Sequence, residues 1–554
     1  MKLAALPDII IRSNKLRAFF SFFVVLFFAF FVFIPAVYLI ALTPQIRFQP
    51  EMLAPLITSF QIAFLAIIVD LLFGIPIAWL INRHSFPGKN VFNALIDMPL
   101  IVPTAALGFS VALFWGGAGL GLLDKGFWLI TALHIIFTFP YVVRTVSAAI
   151  EQIDITYEIA SRTLGSSPLT AFRTVATPLF MDGVFIGGLL ALTRSLSETG
   201  ATMMVAGVTE KTATIAALGY KNAGNIAGAV SISVFLIVVS VLLLGLVKFY
   251  AGRKKFSIGQ VYPRFERYLS GAGFSKVISC VAAGFFAVSF AWILARFFYL
   301  TNMTGIGLLF IAAVLIVLSI ALAMSKKYKI HWSMLLCSIL FLLFILFPSF
   351  FFVSSLRLGG QYGEIINSLI ISFSIALAVT IINLLFGIPM AFIIAQHKMG
   401  WVLDAMVDVV LVVPTVALGL SLGMFWGKAD EILILTAAHL SFTYPYVVKP
   451  ITAAVGGLRK DLEEAASSLG ATPLKVLTTV AFPLILPSIL AGAMMAFMRS
   501  LSETGATLAV SEKIKTVPVL IVDLVKANMN AEAALASFIL LIISLLAVSL
   551  LRRK

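Results

Sequence analysis

Two pairs of charged residues sit inside otherwise apolar stretches: Arg194 with Glu198, and Arg499 with Glu503. Each pair is four residues apart, so on a helix both members share one face. A charge at membrane depth costs roughly 2.5–3.5 kcal/mol on insertion scales, so it faces a bundle interior or an aqueous cavity. Two readings follow: groups lining a translocation route or its gate, or structural pairs that lock helix packing. His134 and His439 also fall in apolar runs. Two such histidines could touch a metal or an anion, while a lone helix histidine is more often hydrogen-bonded structure. Asp70 is matched by Asn383, which keeps a polar group but not a charge and favours an interhelical hydrogen bond. Asp97 and Asp408 precede Pro103 and Pro414 and suit solvated helix ends. Cys280 and Cys337 are isolated, without metal or redox spacing. No catalytic residue, metal site or bound cofactor is expected.

The elements that hold these groups must be membrane spans. The chain is 61% hydrophobic and 11% charged, with a mean hydropathy of +1.09, which excludes a soluble domain. The net charge of +15 reads as basic anchors flanking apolar segments, with no nucleic acid as partner and lipid all round. The fold class is all-α and polytopic, with about 14 transmembrane helices (12 to 14). They are expected near 18–42, 55–81, 94–115, 127–149, 181–206, 227–251, 277–300, 305–324, 331–354, 364–395, 404–427, 432–454, 486–510 and 531–550. Arg12, Lys15, Arg17, the run Arg253-Lys254-Lys255, Lys326-Lys327 and Arg552-Arg553-Lys554 then fall on one side. By the positive-inside rule that side is cytoplasmic and holds both termini.

The sequence repeats itself. Ser59-Phe-Gln-Ile-Ala, Gly74-Ile-Pro76 and His84 match Ser372-Phe-Ser-Ile-Ala, Gly387-Ile-Pro389 and His397. Val102-Pro-Thr104 matches Val413-Pro-Thr415, Phe139-Pro-Tyr-Val-Val143 matches Tyr444-Pro-Tyr-Val-Val448, and Arg194-Ser-Leu-Ser-Glu198-Thr-Gly-Ala-Thr202 matches Arg499-Ser-Leu-Ser-Glu503-Thr-Gly-Ala-Thr507. Corresponding spans run the same way, which makes two parallel five-helix-core repeats, each with a preceding helix. The expected organisation is a tail and first span (1–54), a first unit (55–251), a basic linker with extra spans (252–354) and a second unit (355–554).

Each unit carries a polar loop, at 150–180 and 455–485. Gly165 and Gly470 suit a left-handed helix terminus. Ser167-Pro168 and Thr472-Pro473 supply an N-cap followed by proline at the first helical position. Ala160, Ala465 and Ala466 leave room for a close partner surface.

Glu464-Ala465-Ala466, then Gly470 and Pro483, resembles the coupling loop of binding-protein-dependent ABC importer permeases. The first copy departs from the triplet, with Glu158 one position earlier and Ile159-Ala160-Ser161 after it. The resemblance implies cytoplasmic coupling helices at Glu158, Ala160, Gly165, Pro168, Glu464, Ala465, Ala466, Gly470 and Pro473. It implies docking on an ABC ATPase homodimer, an extracytoplasmic solute-binding protein, and a bacterial or archaeal cell membrane. The chain has no Gly-x-x-x-x-Gly-Lys-Ser/Thr loop, so ATP and Mg belong to the partner and the chain is not an enzyme. Leu358-Gly-Gly-Gln361 only superficially matches an ATPase signature. The fused layout resembles ferric-iron and thiamine permeases, which is the expected substrate class. The phrases Pro99-Leu-Ile-Val-Pro103 and Ser-Glu-Thr-Gly-Ala-Thr are similar to molybdate, tungstate and sulfate permeases, the alternative. An ion-coupled secondary carrier is the competing class, and it predicts uncompensated acids near the midplane.

Overall fold

The computed structural model describes residues 14–42, 49–117, 119–207, 210–250, 332–357 and 362–552. The expected spans 277–300 and 305–324 and the Leu358–Gln361 stretch lie outside the described residues. Every element among the described residues is helical. The first half contains α1 (Asn14–Phe27), α2 (Ile34–Ala41), α3 (Leu53–Arg83), α4 (Lys89–Ile101), α5 (Thr104–Trp115) and α6 (Phe127–Glu151). It continues with α7 (Thr156–Thr163), α8 (Pro168–Ala171), α9 (Thr177–Ser197), α10 (Gly200–Val205), α11 (Ala213–Asn222) and α12 (Ile226–Tyr250). The second half repeats the order: α13 (Trp332–Phe350), α14 (Tyr362–Gln396), α15 (Gly400–Val412), α16 (Thr415–Phe425) and α17 (Glu431–Gly456). After these come α18 (Lys460–Ser468), α19 (Pro473–Val476), α20 (Phe482–Leu501), α21 (Gly505–Val510), α22 (Val517–Lys526) and α23 (Asn530–Arg552).

Nine of the described helices are long and apolar enough to cross a bilayer, or eleven if each of two bent pairs is one span. On α3 the exposed side chains Leu53, Ile57, Phe64, Ile68 and Leu72 form one stripe. Ile366, Ile370, Leu377, Ile381 and Leu385 repeat it on α14. A large apolar face exposed at helical spacing is what a lipid-facing span requires.

Two departures from the expected spans have proline and glutamate as their causes. The segments expected as single spans at 94–115 and 404–427 are helix pairs bent by 101° and 106°. Proline removes an N–H and forces the preceding residue out of the α region. Val102 before Pro103 and Val413 before Pro414 are accordingly extended, with ψ of 125° and 127°. The segments expected at 181–206 and 486–510 are each interrupted, with α9 stopping at Ser197 and α20 at Leu501. Glu198 and Glu503 therefore lie in the breaks rather than on one continuous helix with their arginines. A third irregularity is shared: a π-helical turn at Phe172–Ala176 and at Leu477–Ala481 leads into Pro178 and Pro483. Proline cannot close the i−4 bond, and a widened turn accommodates it.

The two units run parallel. Helix α12 begins beside Glu431, Glu512 and Lys513, which share a cavity lining with Ile226 and Ala229. It ends where Lys248 pairs with Asp404 and Asp408. Lys449, near the loop end of α17, meets the same carboxylates at 2.7 and 2.9 Å. Both duplicated loops thus share one face. In the first unit Arg144 holds the matching place, with Asp97 at 2.7 Å and Asn93 beside it. Asp97 and Asp408 are ion-paired here, which corrects the expectation of merely solvated helix ends. At the opposite end, Ser59 and Ser372 accept the N–H groups of Ala213 and Val517 at the starts of α11 and α22.

The helix preceding each unit packs on the other one. Phe27 stacks on Phe386, Phe28 lies against Tyr444, and the Leu39 N–H donates to Ser421 Oγ. Phe341 of α13 stacks on Phe73 and packs against Phe139, and the Phe352 N–H donates to Ser110 Oγ. Each preceding helix belongs in space to its neighbour, and burying these aromatic faces clasps the halves together. Cleaving the chain within 252–331 is therefore expected to leave two fragments that co-purify in mild detergent. Fragments that separate in affinity capture would contradict the exchanged packing.

Candidate functional site

The site is built where the two broken spans meet. In each unit the glutamate carboxylate bridges the break. Glu198 Oε2 pairs with Arg194 Nη2 at 2.5 Å, and its Oε1 accepts the N–H of Ala201 at 3.0 Å. Glu503 repeats this with Arg499 Nη1 at 2.6 Å and the N–H of Ala506 at 2.9 Å. A helix that stops in the membrane interior frees backbone groups that water cannot reach. Here a carboxylate accepts one early N–H of the second half-helix, that of Ala201 or Ala506, while the arginine neutralises it.

Histidine fastens the other side of the break. His134 lies 2.6 Å from Ser195 Oγ and 3.1 Å from Thr202 Oγ1, one residue on each half-helix. His439 holds Ser500 and Thr507 at 2.8 and 3.0 Å. Both ring nitrogens are engaged, so the hydrogen-bonded reading of these histidines holds. Thr138 and Thr443 continue the brace: each donates to the carbonyl of its histidine, and they meet Asp70 and the Asn383 amide respectively. That is the interhelical polar contact expected of the Asp70 and Asn383 positions. Among the described residues no group of three or more His, Cys, Asp or Glu is placed to hold a metal.

The two breaks touch across the pseudo-two-fold. A Cβ on Gly200 would collide with the Thr504 side chain, and one on Gly505 would lie 3.1 Å from Thr199 Oγ1. The reciprocity is what a two-fold produces. Arg194 is in the electrostatic range of Glu503 as well as Glu198, and Glu198 in that of Arg499. Tyr141 is within hydrogen-bonding range of Arg194, and Tyr446 neighbours both arginines. Phe137 and Phe442 lie under the two guanidiniums at 5.1 and 5.2 Å. The structure thus brings together all four charged residues singled out from the sequence and adds the two tyrosines, which lie in the repeated Pro-Tyr-Val-Val phrase.

The duplicated loops form a pair of elbows far from this centre in sequence. Gly165 and Gly470 are left-handed, with φ of 90° and 83°. The N–H groups of Ser166 and Ala471 reach back to the carbonyls of Ser161 and Ala466, closing a Schellman turn in each copy. Ser167 and Thr472 cap the following turn through the N–H groups of Thr170 and Lys475, with Pro168 and Pro473 first in the helix. Asp154 binds the Thr156 N–H, which holds its carboxyl below the ordinary range.

Ala160, Gly165, Pro168, Glu464, Ala465 and Gly470 are exposed, and Ala466 is half-buried. Leu164 and Leu469 project fully, at 88% and 90% exposure. Glu158 departs from this set. Its carboxylate turns inward to Arg83 at 2.7 Å, and Arg83 also donates to the Ile153 carbonyl and lies over Trp79. Trp79 packs edge-on to Phe172 in the elbow's π turn. The first elbow is therefore tied to α3, whereas the residue matching Arg83 in the second unit is Gln396.

A sequence profile of the binding-protein-dependent transport system inner membrane component family matches residues 70–256 and 383–553. A sulfate transport system permease protein of Salmonella typhimurium is 37% identical over 168 residues, 29% of this chain and 61% of that protein. A molybdenum transport system permease protein of Escherichia coli is 31% identical over 210 residues, 35% of this chain and 91% of that protein. A molybdate/tungstate transport system permease protein of Pyrococcus furiosus is 28% identical over 226 residues, 40% of this chain and 88% of that protein.

The buried pairs generate a double-mutant prediction. Glu198→Gln or Arg194→Gln alone strands a buried charge and is expected to cost about 3–5 kcal/mol. The combined variant removes both charges and recovers most of that loss. Thermal unfolding of the purified protein reads the difference; single and double variants of equal stability would contradict the pairing.

Proposed function

We propose that this chain, which belongs to the family of binding-protein-dependent transport system inner membrane components, is a two-unit permease of an ATP-driven oxyanion importer. The observation that carries the reading is the pairing of two elbows on one face with a closed contact between units on the two-fold. Each elbow presents a fully projecting leucine and small residues, and the first adds the exposed Ile155, Tyr157 and Ile159, the second Leu462. An exposed large apolar side chain on a rigid polar turn is the expected form of a docking knob. A Cβ on Gly165 or Gly470 would meet nothing within 4 Å inside the chain, so smallness there serves an outside partner as well as the left-handed turn.

In this reading an ATPase homodimer grips Leu164 and Leu469, and ATP-driven closure moves the elbows together. The units then rock between two states, biased by the motor on one side and a solute-binding protein on the other. The elbow face is cytoplasmic, and with it both termini. The arginine pairing of Glu198 and Glu503 argues against an ion-coupled carrier, whereas Asp70, buried against Thr138 without a cationic partner among the described residues, is an acid such a carrier could use.

The substrate expectation shifts. Ferric iron or thiamine followed from the fused layout, but the relatives are named for sulfate, molybdenum and molybdate/tungstate. They support the oxyanion alternative instead. Of the sequence phrases that resembled those permeases, Ser-Glu-Thr-Gly-Ala-Thr builds the central contact and Pro99-Leu-Ile-Val-Pro103 leads into the bend between α4 and α5.

Leu164→Glu together with Leu469→Glu is expected to abolish co-purification with the ATPase while leaving thermal stability of the permease unchanged. Retention of the ATPase by this variant would contradict docking at the elbows. Arg83→Ala is expected to leave the ATPase bound but to reduce uptake per ATP hydrolysed, because the first elbow loses its tie to α3. An unaltered ratio of uptake to hydrolysis would contradict that linkage.

A further inference from the structure

The contact on the two-fold contains two groups that the brace around it does not use. Thr199 and Thr504 are 1% and 2% exposed, and neither hydroxyl has a hydrogen-bond partner among the described residues. Each lies against the other unit's glycine, Thr504 against Gly200 and Thr199 against Gly505. A buried hydroxyl left unpaired is costly, and a valine of the same shape would avoid the cost. The charged and histidine groups beside them are engaged: the glutamates by arginine and backbone, the histidines by Ser195, Thr202, Ser500 and Thr507. These two hydroxyls are left without a partner among the described residues, in equivalent positions against the other unit's glycine, whereas the unpartnered Asp70 and Asn383 oxygens lie within each unit, against Thr138 and Thr443.

We propose that Thr199 and Thr504 are the residues that the translocated oxyanion touches as it passes between the two units, each hydroxyl donating to one of its oxygens. The assignment rests on the import reading above and adds the contact residues. The chemistry selects an anion: a hydroxyl is a rotatable donor, and the same contact is flanked by the guanidiniums Arg194 and Arg499, with the phenols of Tyr141 and Tyr446 beside them. A cation would need carboxylate oxygens, and those of Glu198 and Glu503 are both committed. In the closed state the threonines sit against glycine because no larger side chain fits there. When the units part, the same hydroxyls are uncovered on opposite walls of the passage.

The test uses the full permease reconstituted with its ATPase and binding protein in lipid vesicles, with molybdate, tungstate and sulfate as probes. Thr199→Val with Thr504→Val keeps the shape and removes both donors, and uptake is expected to fall about tenfold or more, the scale of a lost hydrogen bond to a charged group. Thr199→Ser with Thr504→Ser restores the donors, and uptake is expected to stay near that of the parent. Parent-like uptake by the valine variant overturns the assignment. So does loss of uptake in the serine variant, which would assign the effect to shape. A parent complex that carries none of these anions on ATP addition overturns the import reading itself, which separates the two failures.

Discussion

The interaction on which the rest of the structure depends is the glutamate carboxylate held between an arginine and the freed N–H groups of an interrupted span. A continuous helix would satisfy its own backbone and need no such device. Breaking it at the point where two units meet exposes polar backbone to apolar surroundings. Glu198 and Glu503 close that gap on one side of the break, and His134 and His439 stitch the other. Once the break is stabilised, the half-helices α10 and α21 can turn toward the two-fold and bring glycine against threonine. The charges are therefore structural, holding the contact between the units in place, and on the proposed reading they also flank the passage that this contact closes.

The same helix joins this centre to the elbow. From Thr177 to Ser197, α9 has 21 residues, a rod of about 32 Å at 1.5 Å per residue. Its near end continues into the π turn and α8, and its far end is the break. On the proposed reading, a displacement of the elbow is carried to the two-fold by this one helical element in each unit. The exchanged preceding helices add a second constraint, because neither unit can tilt without its partner's arm. Among the differences between the units that a homodimeric permease could not show, Arg83 ties the first elbow to α3 while Gln396 stands at the matching place in the second. One polypeptide has two distinct copies and can divide labour between them.

Much of this was legible in the residues. The repeat gave two parallel units, the glycine and cap-proline signatures gave the elbow turns in both copies, and the i,i+4 spacing found both ion pairs. What the sequence concealed was set by local chemistry at membrane depth. Hydropathy sees 94–115 and 404–427 as continuous apolar runs, whereas Pro103 and Pro414 turn each into a sharply bent pair. Periodicity placed Glu198 on the helix of Arg194, although the carboxylate caps the next half-helix from outside. Tyr141, Tyr446, Thr199 and Thr504 all lie inside phrases that repeat, so repetition itself was the signal that could have found them. Arg83 carried no such signal, since Gln396 stands at its counterpart, and only the folded chain shows Glu158 turned toward it. Which helix clasps which unit is likewise invisible in a repeat, because exchange and self-packing bury the same residues.

The most direct test of the account is ATP-dependent uptake of molybdate into vesicles that contain the permease and its binding protein, measured with and without the ATPase subunit. The account predicts uptake only when the ATPase and hydrolysable ATP are both present on the elbow side. Uptake at an equal rate without the ATPase would show that the chain works by itself, and would contradict the reading of a two-unit gate driven through its elbows.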